Sequence, residues 1–570
     1  MKLKLCRALL LAFLAGAGFW LTVAFPVEAQ EPDEGSNLLI TGSIYDRQGA
    51  SVNAASVELW SDTPEEPLTQ AVTQPDGRFA LHVSNPIPQR LTVRVVRAHF
   101  QTYDLDLDPQ LVAGLQPGSA IALPDITLFR RIDLAFWLAT LIFIAVLLLI
   151  AFNNLHNTLA ALLGATVIFF LSYVGSAIYE GFYIFDFTGA LRYVDWNVIF
   201  LIMGMMIVIA VVERTGIFQW LAFFAYRISR GRTWLLMIIL MMITGIASAF
   251  LDNVTTMLLM TPISVQIALS LGINPLALLM PEVFASNVVG ISTLVGTPTN
   301  ILIGSYARIS FNDFLVNLTP GVVVALVGLV IYCELAYRRE LKSSAIEGIS
   351  ELLINKLEEQ AVITELEHLK KAGWVGLGML VLFIFGERIH LLPSVTALMG
   401  ATALLVWIRP DIEEMIEAVD WTTLVFFISL FICVGAIQEV GLVSLIAEGI
   451  ARLVGDSLVL AMLSILWMGA ILSTVIANIP FTAAMLPVIA FLTKGIPGAE
   501  SKVLFYCLSV GSAMGGNGSL IGASANMVTS GIAERAGYSI TYVYFLKKGF
   551  PALLITVGLA MLWLLMRFLL

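Results

Sequence analysis

Ser292-Thr293-Leu294-Val295-Gly296-Thr297-Pro298-Thr299-Asn300 is a small, hydroxyl-rich run with a proline inside it, set in an otherwise apolar stretch. Proline removes a backbone donor and clashes with the preceding turn, so a helix through Pro281 to Ser305 should break here. A second run, Gly515-Gly516-Asn517-Gly518-Ser519-Leu520-Ile521-Gly522-Ala523-Ser524-Ala525-Asn526, lacks the proline, but its Gly and Ser weaken a helix comparably. The two runs align: Gly290 with Gly516, Leu294-Val295-Gly296 with Leu520-Ile521-Gly522, Asn300 with Asn526. Working outward, and with one residue fewer in the spacing, Val194-Asp195-Trp196 matches Val419-Asp420-Trp421. Gly216 then matches Gly441, Asn253 matches Asn478 and Pro262 matches Pro487. A small-residue run alone also serves as a tight helix-packing face. Interruptions paired between two halves of a membrane chain point instead to a transport site.

A matched pair of polar tips precedes the breaks. An apolar run ends at Ala249-Phe250-Leu251, Asp252-Asn253 follows, and Val254 to Pro262 opens another apolar run. A carboxylate inside a membrane helix costs about 2.5–3.5 kcal/mol on insertion scales unless it faces water or a partner. A re-entrant hairpin with Asp252-Asn253 at its tip removes that conflict, since irregular backbone at membrane depth is tolerated where it lines a cavity. The equivalent tip is Ala477-Asn478-Ile479-Pro480, followed by Thr482 and Pro487. Two ordinary spans joined by a tight turn are the plainer alternative.

The chain has 570 residues, 58% hydrophobic and 13% charged, and apolar runs long enough to cross a bilayer recur from about residue 132 onward. This is a mainly α, polytopic membrane protein. The net charge of −10 gives no sign of nucleic-acid binding. Cys6, Cys333, Cys433 and Cys507 are scattered and form no metal or disulfide pattern. No phosphate-cradling loop, His-Glu-x-x-His or Gly-x-Ser-x-Gly occurs, which argues against a primary pump and against an enzyme.

Residues 1–29 have a basic start and an apolar run to about Phe25. They read as a signal peptide, with Val27-Glu28-Ala29 as the cleavage site, or as an uncleaved first helix. From 36 to 130 the period changes to strand-like alternation, as in Leu39 to Tyr45, Ser56 to Trp60 and Arg90 to Val96, with Pro75-Asp76-Gly77 as a turn. A small extracytoplasmic β-sandwich is expected, with His82 and His99 at its surface. Its run from Gly42 to Gly49, then Ala55 to Leu59, then Asp76 to Phe79 resembles the carboxypeptidase regulatory-like domain. The transporter halves are placed at 132–337 and 373–570, joined by a charged linker at 338–372 whose middle, from Ile346 to Leu369, reads as an amphipathic surface helix.

Charge gives the topology. Arg214, Arg227, Arg230 and Arg232 with Glu213 follow the first copy's opening helix. Glu439, Glu448, Arg452 and Asp456 follow the second's. Cytoplasmic loops are enriched in Lys and Arg, so the copies face opposite sides, as an inverted repeat. Arg338-Arg339, Lys370-Lys371 and Lys547-Lys548 place the linker inside and the β-domain outside; Arg130-Arg131 runs against this.

Taken together, Leu251-Asp252-Asn253-Val254-Thr255-Thr256 with Pro262, Glu282-Val283-Phe284 and Thr293 to Asn300 resemble the ion transporter superfamily. The likeness lies with its arsenite permease and melanosomal P protein branch, which carries a citrate transporter-like domain. It covers about residues 132 to 570. It implies an ion transporter fold of two re-entrant hairpins and two broken helices, a substrate between the hairpin tips, cations between each tip and its broken helix, and a homodimer working by elevator motion in the cell membrane, among its lipids. In the superfamily's sodium-coupled carboxylate carriers the tip reads Ser-Asn-Thr. Asn253 and Asn478 match that Asn, but their neighbours here are Asp252 and Val254, and Ala477 and Ile479, so carboxylate specificity does not carry over.

Asp252 has no acidic counterpart, because Ala477 stands at the equivalent position. A carboxylate caught between burial and a cation can exchange H⁺ for Na⁺. Asp252 is therefore the expected coupling group, and Glu282 a second proton carrier or a snorkelling residue. Na⁺ is expected at Asp252, Asn253, Thr293 and Asn300, with Thr256, Gly296 and Thr297 contributing. Asn478, Thr482, Ser519, Gly522, Ser524 and Asn526 would complete the opposite half. The expected activity is secondary transport of a small inorganic ion or organic anion, as symport or antiport, with H⁺ or Na⁺ as coupling ion and no other cofactor. Na⁺/H⁺ exchange and anion transport both fit, and a passive channel of the same fold is the rival.

Overall fold

The computed structural model describes residues 38–47, 49, 51–61, 66–83, 90–107, 120–152, 155–342 and 363–569. The expected leader (1–29), Cys6 and most of the expected linker helix lie outside them. The chain divides into two compact units, Met1–Arg131 and Ile132–Leu570.

The first unit is a β-sandwich. One sheet holds β1 (Leu38–Asp46), β4 (Arg78–Val83), β7 (Ala120–Ala122) and β8 (Ile126–Leu128). The other runs β3 (Thr69–Val72), β2 (Ser56–Trp60), β5 (Thr92–Val96), β6 (Tyr103–Asp106). Alternate residues Leu38, Ile40, Val57, Leu59, Leu81, Val93 and Val95 are buried, as a period of two requires when one sheet face is covered. Gly77 turns at φ +80, where a side chain would meet the Ile44 carbonyl oxygen. His82 is exposed, but His99 is buried, against expectation. The chain turns at His99 with φ +65, and its carbonyl accepts a bond from the Arg131 amide. Arg130 stacks over the Phe100 ring at 4.7 Å within this unit.

The second unit is helical, and nine of its helices are long and apolar enough to cross a membrane among the described residues. In the first half, a helix pair (Leu134–Ala151 and Asn157–Ile178) is followed by an opening helix (Trp196–Glu213) and a surface helix (Ile217–Ser229). Then come a hairpin (Thr233–Phe250 and Asn253–Ser270), a broken helix (Leu276–Ser292 and Pro298–Ala307) and a closing helix (Phe311–Lys342). The second half repeats the order. Its pair is Leu366–Phe385 and Pro393–Ile408, its opening helix Trp421–Glu439 and its surface helix Leu442–Val454. Its hairpin is Leu458–Leu472 and Asn478–Gly495, its broken helix Val503–Gly515 and Ser524–Arg535, and its closing helix Tyr542–Leu569. The first closing helix thus runs on through Arg338-Arg339.

The two opening helices run antiparallel, and so do the two closing helices. The C-terminal end of the first opening helix meets the residues just before the second opening helix, where Arg214 Nη1 donates to Glu414 Oε2 at 2.6 Å. At the other end, Tyr193 donates to Glu439, which ends the second opening helix. The closing helices show the same relation: Trp563 Nε1 bonds the Asn317 carbonyl (2.7 Å) and the Tyr332 hydroxyl bonds the Lys548 carbonyl (2.6 Å). Each half also supports the other's opening helix, through Ser394 on Asn197 (3.1 Å) and Thr158 on the Thr422 carbonyl (2.9 Å).

Candidate functional site

Both helix breaks are built alike. Thr293 donates to the Ala249 carbonyl next to the first tip, and Ser519 donates to the Thr474 carbonyl next to the second. The same hydroxyls accept the amides of Gly296 and Gly522, each at 3.1 Å. Asn300 Nδ2 donates to the Ile291 and Thr293 carbonyls (2.9 and 2.7 Å), and Asn526 Nδ2 to those of Gly516 and Ser519 (2.8 and 2.9 Å). Carbonyls freed by a break must find partners away from water, and these side-chain amides supply them. Ser248 bonds the Ser286 carbonyl (3.1 Å) and Ser473 the Ser512 carbonyl (2.6 Å), pinning each hairpin to its broken helix. Gly296 and Gly522 fit only as glycine. A Cβ on Gly522 would lie 2.8 Å from the Gly516 oxygen and 2.9 Å from the Ser473 oxygen. One on Gly296 would meet the Gly290 oxygen and come within 2.6 Å of the Ser248 oxygen.

The centre of the bundle is not symmetric. Asn287 accepts from Asn253 Nδ2 (2.8 Å) and donates to Asn517 Oδ1 (2.9 Å) and Asn526 Oδ1 (3.0 Å). One buried amide therefore ties the first hairpin tip to the second half's break. Asn300 Oδ1 accepts instead from Ser509 (2.6 Å).

Asp252 caps the helix that begins at Asn253. Its Oδ1 accepts the amides of Val254 and Thr255, both at 2.9 Å, and its Oδ2 accepts the Thr255 hydroxyl at 2.5 Å. Ala477 at the equivalent tip offers no side-chain cap. Asp252 and Thr255 line a cavity of about 510 Å³, a size in the range of small-ligand sites. Val295 and Pro298 of the first break, Ile479 and Pro480 of the second tip, and Ser524 beyond the second break line it too. Its other wall is formed by the first opening helix down to Glu213 and by the second from Asp420.

Of the expected site residues, Asp252 and Ser524 face this cavity. The expected ring of oxygens around Asp252 is not what the side chains form. Thr256 and Thr482 bond back along their own helices, to the carbonyls of Asp252 (2.9 Å) and Asn478 (2.7 Å). Asn253, Thr293, Asn300, Ser519 and Asn526 are bonded into the framework, and Thr297 caps the helix at Pro298 by accepting the Asn300 amide at 3.3 Å. Asn478 is buried at the start of the second hairpin's outgoing arm. Glu282 lies in the first segment of the first half's broken helix, fully buried, and does not line the cavity. Burial rules out the snorkelling alternative.

Sequence reading missed Thr255, Asn287, Asn517 and Ser509 as framework groups, and His156, Glu213 and Asp420 as cavity lining. Asn287 carried a signal, being an amide inside a buried apolar helix. Asp420 looked only like a marker of the repeat.

A second cavity, of about 540 Å³, is lined at positions equivalent to the first: Asp195 for Asp420, Gln438 for Glu213, Leu302 for Val528 and Ala483 for Leu258. No hairpin-tip residue lines it.

The family model described as citrate transporter matches residues 147–502, more than half of the chain. An uncharacterized transporter of Mycobacterium tuberculosis is 38% identical over 431 residues, covering 75% of this chain and 98% of its own. The P protein of Homo sapiens is 31% identical over 531 residues, covering 80% of this chain and 62% of its own. Among solved structures, the YdaH transporter of Alcanivorax borkumensis superposes with a TM-score of 0.50 at 15% identity, covering 72% of this chain and 98% of that one, a likeness of fold. With nine apolar spans among the described residues, paired hairpins and paired helix breaks, the chain belongs to the citrate transporter family of membrane transporters.

Proposed function

We propose that the protein is a secondary active transporter of the cell membrane that couples transport to H⁺ or Na⁺, with Asp252 as the coupling group. One observation carries this reading: the charged lining of the cavity between the tips is Glu213, Asp252 and Asp420 beside His156, with no Lys or Arg among the described residues. Walls of one sign concentrate the opposite ion. The cavity chemistry therefore favours Na⁺/H⁺ exchange, or an anion that enters with its charge offset by a cation; a bare polyanion would meet three carboxylates. Asp252 offers a carboxylate where its counterpart is Ala477, so the exchanging group resides in one half alone.

The antiparallel course of equivalent helices supports an inverted repeat and alternating access. One cavity reaches the tips, and its repeat-related partner stops short of them. The tip-reaching cavity lies near Glu213, next to Arg214, whose carbonyl accepts from Thr364 at the end of the charged linker (3.1 Å). The excess of basic residues in these loops argues that this end is cytoplasmic and that the β-domain is extracytoplasmic. An elevator movement within a homodimer is the form of alternating access adopted in this reading.

The test is flux in proteoliposomes with imposed Na⁺, H⁺ and voltage gradients, comparing the unaltered chain with Asp252→Asn. Uphill movement driven by one of these ions is expected, and its loss in the variant. A flux that only follows the transported ion's own electrochemical gradient would favour the channel reading.

A further inference from the structure

Glu282 is the one titratable side chain of its helix segment, and both arms of the hairpin packed against it carry none. Its Oε2 accepts hydroxyl bonds from Thr244 on one arm (3.1 Å) and Ser264 on the other (3.0 Å). Its Oε1 is buried with no partner. Charged residues on the other elements packed against this segment are Asp313, Glu334, Arg338, Arg339 and Glu340 on one closing helix, Lys547, Lys548 and Arg567 on the other, and Glu534 and Arg535 beyond the second break. Cys333, Tyr337, Tyr506 and Cys507 are the buried thiols and phenols on those elements. None of these groups bonds or ion-pairs with Glu282 among the described residues. Lys548, for one, is turned to the Ala336 carbonyl at 2.6 Å and to Glu340.

The repeat gives an internal control. Carrying the same offsets into the second half, Thr244 corresponds to Gly469, Ser264 to Ile489 and Glu282 to Leu508. There Ile489 and Leu508 are fully buried, and a Cβ placed on Gly469 would lie 3.5 Å from the Gly511 backbone. The same junction of hairpin and broken helix is thus built from apolar residues in one half and around a carboxyl group in the other. Packing alone does not call for Glu282, and an unpaired buried carboxylate costs several kcal/mol. We infer that Glu282, held by Thr244 and Ser264, is a proton-binding site separate from the cavity, with the proton on Oε1. Four side-chain oxygens lie there, two of the carboxyl group and two hydroxyls, short of the six or so that a hard cation takes, so a proton fits better than a metal ion. On loading, the carboxylate takes one H⁺ from water to become a carboxylic acid; on release it returns that H⁺.

This deepens the coupling proposed above and rests on it only for what the proton does in transport; occupancy is read without any flux. The full chain in lipid vesicles is compared with Glu282→Gln by infrared difference spectroscopy in H₂O and D₂O at neutral pH, and with Ser264→Ala. Expected is a neutral carboxylic acid band that disappears in Glu282→Gln and shifts, without disappearing, in Ser264→Ala, which loses one donor. A band unchanged in both variants overturns the site. So do carboxylate bands at Glu282 that respond to Na⁺ and not to pH, because the occupant is then a metal ion. In flux, Glu282→Gln should lose part of the response to a pH gradient while keeping any response to Na⁺. If the unaltered chain shows no coupling to either ion, the transport reading fails while the infrared result on Glu282 stands or falls separately.

Discussion

Replacing Asp252 separates its two roles, because the carboxylate both caps a helix and faces the cavity. As a cap it accepts two amides at 2.9 Å and a hydroxyl at 2.5 Å. Asn caps about as well as Asp, and its side-chain oxygen can keep the amides of Val254 and Thr255. Ala cannot, and it leaves both donors at the tip. These amides border a cavity that water can enter, so the loss belongs on the scale of a missing cap, about 1 kcal/mol, and not on that of stranded buried donors. Asp252→Ala should therefore lower stability by about 1 kcal/mol, roughly a fivefold change in the folding constant, with Asp252→Asn near zero. Transport should rank differently. A permanently neutral amide cannot alternate between a proton and Na⁺, so both variants should lose gradient-driven flux at least about tenfold, equivalent to about 1.4 kcal/mol of coupling. Thermal unfolding in detergent reads the first effect and proteoliposome flux under imposed Na⁺ or pH gradients reads the second. If Asp252→Asn transports with its gradient response intact, Asp252 is a helix cap and no more, and the coupling assignment fails.

Three further outcomes follow from the framework. Asn287→Ala strands Asn253 Nδ2 and removes the donor to Asn517 and Asn526, which should cost about 1–3 kcal/mol in thermal unfolding; a change within a few tenths would mean that the amide cluster does not hold the two halves together. Gly296→Ala and Gly522→Ala each push a methyl group into carbonyl oxygens and should each lose about 1–3 kcal/mol and most flux, the first more than the second because its neighbours lie closer. For sidedness, single cysteines replacing Arg230 and Asp456, both exposed, should be labelled from opposite faces of the membrane; Asp456 is chosen because its neighbour Gly455 sits at φ +58, where a side chain is strained. Labelling of both from one side would defeat the inverted arrangement.

The plan of the membrane unit was legible because helix breaks depend on local chemistry. Pro298 and the glycine cluster at 515–518 weaken a continuous helix through local chemistry, and the break observed at Thr293 to Thr297 has its counterpart at Ser519 to Ala523. The repeat was legible for the same reason, since Gly, Asn and Pro recur where the backbone must turn. The alternation of buried and exposed residues in Arg78–Val83 and Thr92–Val96 likewise announced strands before any partner was known.

What the hydroxyls and amides do was not legible. Thr256 and Thr482 read as ligands by residue type, yet each is spent on a carbonyl one turn back along its own helix. Asn300 and Asn526 read as oxygen donors to an ion, yet each turns its Nδ2 to carbonyls released by its own break. A break creates a local demand for hydrogen bonds, but which side chain meets it depends on what lies across the interface. Asn287 meets it for the opposite half, from more than two hundred positions away in the chain. The gathering of Glu213, Asp252 and Asp420 around one cavity is of the same kind. Sequence alone determined that the backbone must break twice and in a matched way, because φ, ψ and proline sterics act between neighbours. Only the tertiary structure decided which polar groups are bound into the framework and which face open space, because that choice is made by residues that the antiparallel halves bring together.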